Sequence, residues 1–100
     1  MPHLICYDIS KNSLRTKLGK RIIRAGLDRI NKSVYLGTIT DSSLTTLEKE
    51  VATLLTTTGE PQDSLIVIPI TTQHVQQLRV YGKNELDKDE LTGDKTTLII

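Results

Sequence analysis

Two strand-length apolar runs, residues 3–9 (HLICYDI) and 65–70 (LIVIPI), bracket two longer stretches in which Leu, Ile and Val recur every third or fourth position. This switch between periods constrains the chain more than any other feature. Continuous apolar runs of that length suit buried strands, and the longer stripes suit amphipathic helices packed on them. The core must be aliphatic, because the chain has no Trp or Phe and only three Tyr. One hundred residues leave room for one domain. A core of that size stabilises only modestly, so burying more surface in a dimer is favoured.

The run at 3–9 ends in an acid and a turn and reads as a buried strand. Residues 10–12 supply cap chemistry, and the spacing predicts a helix over 13–25 with Leu14, Leu18, Ile22 and Ala25 on one face. Gly26 follows where a left-handed residue ends a helix. Residues 33–40 (SVYLGTIT) read as a strand, with Gly37 marking a bulge or a close approach. Asp41 or Ser42 caps a second helix that carries Leu44, Leu47, Val51, Leu54 and Leu55 on one face and ends near Gly59. Pro61 and Asp63 turn the chain into 65–70, which reads as a strand buried on both faces, with Pro69 at its end or at a bulge. Residues 73–79 form a short turn or helical piece, and Val80 and Tyr81 a brief further strand. The expected fold is α+β, a ferredoxin-like βαββαβ with the first and third strands central.

Residues 1–83 make up that domain. Residues 84–95 (NELDKDELTGDK) hold five acids and no Val or Ile, and read as an acidic linker. Residues 96–100 (TTLII) read as a C-terminal strand that needs a partner, because an unpaired apolar strand is an aggregation hazard. At roughly 3.3 Å per residue the linker reaches about 40 Å, enough for that strand to join the sheet of a second copy in a homodimer.

The overall charge of +1 conceals a division along the chain. Residues 1–35 carry eight Lys or Arg against Asp8 and Asp28, a net +6, and residues 36–100 carry five against ten, a net −5. Arg15, Lys17, Lys20, Arg21 and Arg24 fall mainly off the apolar stripe of the first helix, which therefore presents a basic face to an anionic partner. No apolar run approaches the ~20 residues that span a bilayer, so no membrane helix is expected. The N-terminus lacks a signal-peptide pattern, and the single cysteine excludes an internal disulfide and a Cys-rich zinc site. A cytoplasmic protein is expected.

Asp8 is the one acid that ends an apolar strand beside a basic helix. A carboxylate there can ligate Mg²⁺, which takes one or two carboxylates and keeps several waters. It can equally cap the first helix or pair with Arg15. One carboxylate per chain ligates poorly, and two related by a two-fold axis would suffice. His3 and His74 lack companions at zinc spacing, and Cys6 reads as a small core residue. Neither Gly19-Lys20 nor Gly82-Lys83 has the upstream glycine of a phosphate loop. Tyr35 can stack on a base or simply pack.

The segments LICYDIS at 4–10, GLDRINKSVYLG at 26–37 and DSLIVIPI at 63–70, with Arg15 and Lys17 between the first two and Gly82-Lys83 after the last, resemble CRISPR-associated protein two. The resemblance spans about the first 83 residues, in order and at the right spacing. Asn31 stands where the family has Gln, and Tyr35 where it has Phe. The resemblance implies a ferredoxin-like homodimer that binds duplex DNA with the CRISPR integrase, CRISPR-associated protein one, during spacer acquisition. It also implies a nuclease in some members, dependent on Mg²⁺ or Mn²⁺ and acting on RNA or DNA. The family's metal-binding acid falls on Asp8, its basic positions on Arg15 and Arg29, and its aromatic position on Tyr35. Lys17 and Arg24 join Arg15, Arg29 and Tyr35 as expected nucleic-acid contacts. Two functions follow: an adaptation subunit that grips nucleic acid, which one acid per chain favours, or a stand-alone metal-dependent endonuclease, a toxin-type ribonuclease included.

Overall fold

The computed structural model describes residues 1–81; the acidic linker and the C-terminal strand expected from the sequence lie outside them. Four strands and three helices follow in the order β1 (Pro2–Asp8), α1 (Asn12–Arg24), β2 (Asp28–Asn31), β3 (Val34–Thr38), α2 (Asp41–Thr57), β4 (Ser64–Pro69) and α3 (Thr72–Gln77). The sheet runs β2-β3-β1-β4 with every neighbouring pair antiparallel, so β1 and β3 are central, and the run 65–70, expected as the central third strand, is instead the edge strand β4. This is the ferredoxin-like βαββαβ order.

The strand that completes that order differs from the expected one. It is β2, not Val80 and Tyr81, which belong to no strand and stand 37% and 87% exposed. The β2 sequence DRIN has a single apolar residue, so no periodic pattern marks it. Its strand character comes from pairing with β3, where Arg29 faces Tyr35 and the register slips between Arg29 and Asn31.

Alternation along β1 divides the core. Ile5 and Tyr7 face α1 and α2, where Leu14, Leu18, Ile22, Leu47, Val51 and Tyr35 complete the main cluster. Each fully buried aliphatic side chain contributes about 1.5–3 kcal/mol. The other face bears Leu4 and Leu36, packed with Ile30, Ile70 and Val75 of α3. Because α3 has six residues and buries only Val75, β4 is not buried on both faces. Leu65 and Val67 pack on the helices, while Ile66 and Ile68 of this edge strand stay 53% and 40% exposed. Pro69 ends β4, where its missing N–H costs no ladder bond in the sheet interior.

Helix boundaries also depart from the expected caps. Lys11 is the N-cap of α1 and makes no side-chain cap bond, because an ammonium has no acceptor to offer, and the Ser10 hydroxyl is turned to Asp63. Thr40, not Asp41 or Ser42, caps α2 and accepts from the Ser43 N–H at 3.2 Å. The end of α1 is as expected. Gly26 has φ +112°, its N–H bonds to Ile23 and that of Leu27 to Ile22, the paired bonds of a Schellman motif. Gly37 is a close approach to Leu27, and the bulge lies in β2 instead. Cys6 is only half-buried.

Candidate nucleic-acid interface

The end of β1, one face of α1 and the β2–β3 hairpin enclose a cleft of about 710 Å³. Asn12, Arg15, Thr16, Gly19, Lys20 and Ile23 form its helical wall, at the three- and four-residue spacing that puts side chains on one face. Arg29, Lys32 and Ser33 form the hairpin wall, and Tyr7, Asp8 and Tyr35 line it from the sheet. Four cations thus meet one carboxylate. Gly19 permits the helix to sit this close: a Cβ there would stand 2.7 Å from the Tyr35 hydroxyl.

Two of those cations are fixed by backbone. Arg15 Nη1 donates to the carbonyls of Ile9 at 2.7 Å and Ser10 at 3.1 Å, and Nη2 donates to Asn12 Oδ1 at 3.3 Å. Arg29 Nε donates to the Asn31 carbonyl at 3.3 Å and Nη2 to that of Lys32 at 3.1 Å, across the hairpin turn. A guanidinium has five N–H donors, so each keeps donors for a ligand. No salt bridge neutralises Arg15, Lys20, Arg29 or Lys32 among the described residues, where the ion pairs are Lys11–Glu60 and Arg21–Glu50.

Tyr7 and Tyr35 meet with hydroxyl oxygens 3.5 Å apart and ring centroids 6.0 Å apart. Burial, reinforced by the Tyr35 hydroxyl, pushes the Tyr7 phenol up to about 12. The Tyr35 ring is 3% exposed, and its hydroxyl end is what approaches α1 and the cleft.

The structure gathers Asp8, Arg15, Arg29 and Tyr35 around one cleft and leaves Lys17 and Arg24 outside it. Arg24 lines a smaller cleft of about 260 Å³ with Arg21, Ser42, Ser43, Thr46 and Glu50, and exposed Lys17 lines neither. Lys20 and Lys32 are cleft cations absent from the expected contacts, although Lys20 was placed on the basic face of the first helix. Counting helical turns from Arg15 through Thr16 and Gly19 finds Lys20; Lys32 needs the hairpin. Asp8 is exposed, and among the described residues its carboxylate neither caps α1 nor pairs with Arg15. No group of three His, Cys, Asp or Glu suited to a metal occurs among the described residues, where Asp8 is the one carboxylate lining the cleft. A divalent cation that keeps several waters fits this donor set only if a second Asp8 joins the first.

Comparisons with known proteins bear on the family and the fold. The family described as CRISPR associated protein Cas2 matches residues 1–78. The protein named CRISPR-associated endoribonuclease Cas2 from Haloferax volcanii is 27% identical over 90 residues, which cover 90% of this chain and 93% of that one. The one named CRISPR-associated endoribonuclease Cas2 1 from Archaeoglobus fulgidus is 29% identical over 70 residues, 70% of this chain and 71% of its own. The crystal structure of Streptococcus pyogenes Cas2 superposes with a TM-score of 0.70 at 15% identity, covering 82% of this chain and all of the other, which shows a common fold. With the family match running through β1, the cleft and β4, the chain belongs to the CRISPR-associated protein Cas2 family.

Proposed function

We propose that this protein is a homodimeric CRISPR adaptation subunit that grips the backbone of duplex DNA alongside the CRISPR integrase. The observation that carries this reading is the cleft in which Arg15, Lys20, Arg29 and Lys32 face a single acid, Asp8. Arg15 and Arg29 are held by backbone carbonyls, so a phosphate meets guanidinium groups that are already oriented. Neutralising phosphates releases counterions, and on duplex DNA affinity then falls with a log–log slope of about −0.9 per phosphate contact. Fluorescence anisotropy across a salt series tests the reading. Steep salt dependence that weakens in the Arg15→Ala/Arg29→Ala protein is expected. A flat dependence, or unchanged binding by that variant, overturns it.

A second reading, a Mg²⁺- or Mn²⁺-dependent endonuclease, is supported by the printed names of the relatives, both endoribonucleases. Asp8 lies on the same sheet face as exposed Ile66 and Ile68, since Cys6 pairs with Ile66 and Asp8 with Ser64. Stacking two copies on that face brings the Asp8 carboxylates of both protomers toward the two-fold axis, where together they would hold the cation. When bound, such a cation polarises a phosphate and lowers the pKa of water. The cleft cations would orient the strand over the Tyr7–Tyr35 pair.

A further inference from the structure

We propose that Asp63, which lies outside the cleft, is a positioning residue that sets the Arg15 guanidinium through Ser10. The inference rests on the reading of the cleft as a nucleic-acid site. Asp63 Oδ1 accepts from both the N–H and the hydroxyl of Ser10, each at 3.0 Å, and Oδ2 accepts from the Glu60 N–H at 2.9 Å. Gln62 Nε2 adds a bond to the same Ser10 hydroxyl at 3.1 Å. The α2–β4 turn therefore clamps the loop between β1 and α1 at Ser10, with exposed Lys11 adding a bond to the Thr58 carbonyl at 3.0 Å and an ion pair with Glu60.

Ser10 is also where Arg15 is anchored. Two of the three acceptors of the Arg15 guanidinium are the carbonyls of Ile9 and Ser10. From its own helix the loop is held only by the Arg15 guanidinium and not by a side-chain cap, since Lys11 makes none and the Ser10 hydroxyl is committed to Asp63. Releasing Ser10 thus releases both carbonyls and lets the Arg15 fork turn away from the cleft. It also loosens the end of β1 that bears Asp8. Bonds to an ionised carboxylate are the stronger kind, and those from Glu60 and Ser10 hold Asp63 below the usual carboxylate range. A mere staple of the α2–β4 turn would affect stability and leave Arg15 in place.

A double-mutant cycle on the full chain separates the two roles. Binding of a duplex DNA is followed by anisotropy across a salt series for Asp63→Ala, Arg15→Ala, Arg29→Ala and the two doubles that pair Asp63→Ala with each arginine variant. Asp63→Ala is expected to lower the salt slope by about one phosphate contact, as Arg15→Ala does. Its effect vanishes on top of Arg15→Ala and persists on top of Arg29→Ala. Asp63→Asn, which keeps a carbonyl for Ser10, recovers part of the loss. A wild-type slope in Asp63→Ala, or an effect that adds to Arg15→Ala, overturns the proposal. If the wild type shows no salt-dependent binding, the cleft reading fails, and amide exchange and guanidinium NMR without nucleic acid decide the clamp. Faster exchange at Ser10 with shifted Arg15 signals and unmoved Arg29 signals supports it; unmoved Arg15 signals overturn it. Should Asp63→Ala not fold, Ser10→Ala, which removes only the hydroxyl bonds, carries the same cycle.

Discussion

The Asp8 carboxylate ends β1 exposed and without a hydrogen-bond or ion-pair partner among the described residues. Removing its charge therefore breaks no internal contact, and a surface change of that kind usually stays within about 0.5 kcal/mol. Asp8→Asn is expected to abolish any Mg²⁺- or Mn²⁺-dependent cleavage while leaving dimerisation and DNA binding intact. A cleavage assay on both purified proteins checks this, and equal rates would remove Asp8 from the chemistry. Tyr7 makes a different prediction. Its folded-state pKa, about 12, lies above the ordinary 10.0, so folding favours the protonated phenol. That contribution is complete below about pH 10 and is lost as pH rises through about 12. Denaturant titrations across this window, followed with tyrosinate absorbance, should show a loss of stability that Tyr7→Phe does not share.

At the scale of the element, α1 sorts its cations by face. Arg15 and Lys20 look into the cleft, Arg21 pairs with Glu50 of α2, and Lys17 lies on neither cleft wall. We expect Lys20→Ala/Lys32→Ala to lower the salt slope of DNA binding by about two phosphate contacts. Lys17→Ala/Arg24→Ala should lower it less, and equal losses in the two pairs would mean that contact extends beyond the cleft. The helix was legible because its apolar stripe, Leu14, Leu18 and Ile22, is a local pattern, and so was its end at Gly26, where a positive φ selects glycine. Its start fell within the expected cap segment 10–12, but the absence of a capping side chain was not legible. Ser10 has the chemistry of a cap, but an acceptor 53 residues away takes its hydroxyl.

At the scale of the whole molecule, the described residues leave one sheet face partly bare. Ile66 and Ile68 remain exposed beside half-buried Cys6, on the face that carries Asp8, because α3 covers only the region around Leu36. A second copy stacked there would bury them. Ile66→Lys should accordingly give a monomer by light scattering with near wild-type helix content, since a side chain already 53% exposed contributes little to the monomer core. A dimer of undiminished stability would exclude this face as the interface.

The sequence by itself determined the helices, the strands β1, β3 and β4, and the concentration of cations before residue 36. These are carried by local periodicity, by turn residues and by counting charge, none of which needs distant contacts. It also marked Asp8, Arg15 and Arg29 through a resemblance over 1–83. Tertiary structure decided the rest. Only pairing with β3 makes a strand of DRIN at Asp28–Asn31, and only that hairpin brings Lys32 opposite Lys20. Only the edge position of β4, with α3 too short to cover it, turns an apolar run into a half-exposed one. Burial and hydrogen-bond partnership are set by what the folded chain places nearby, and a pattern read along the chain does not contain that neighbourhood.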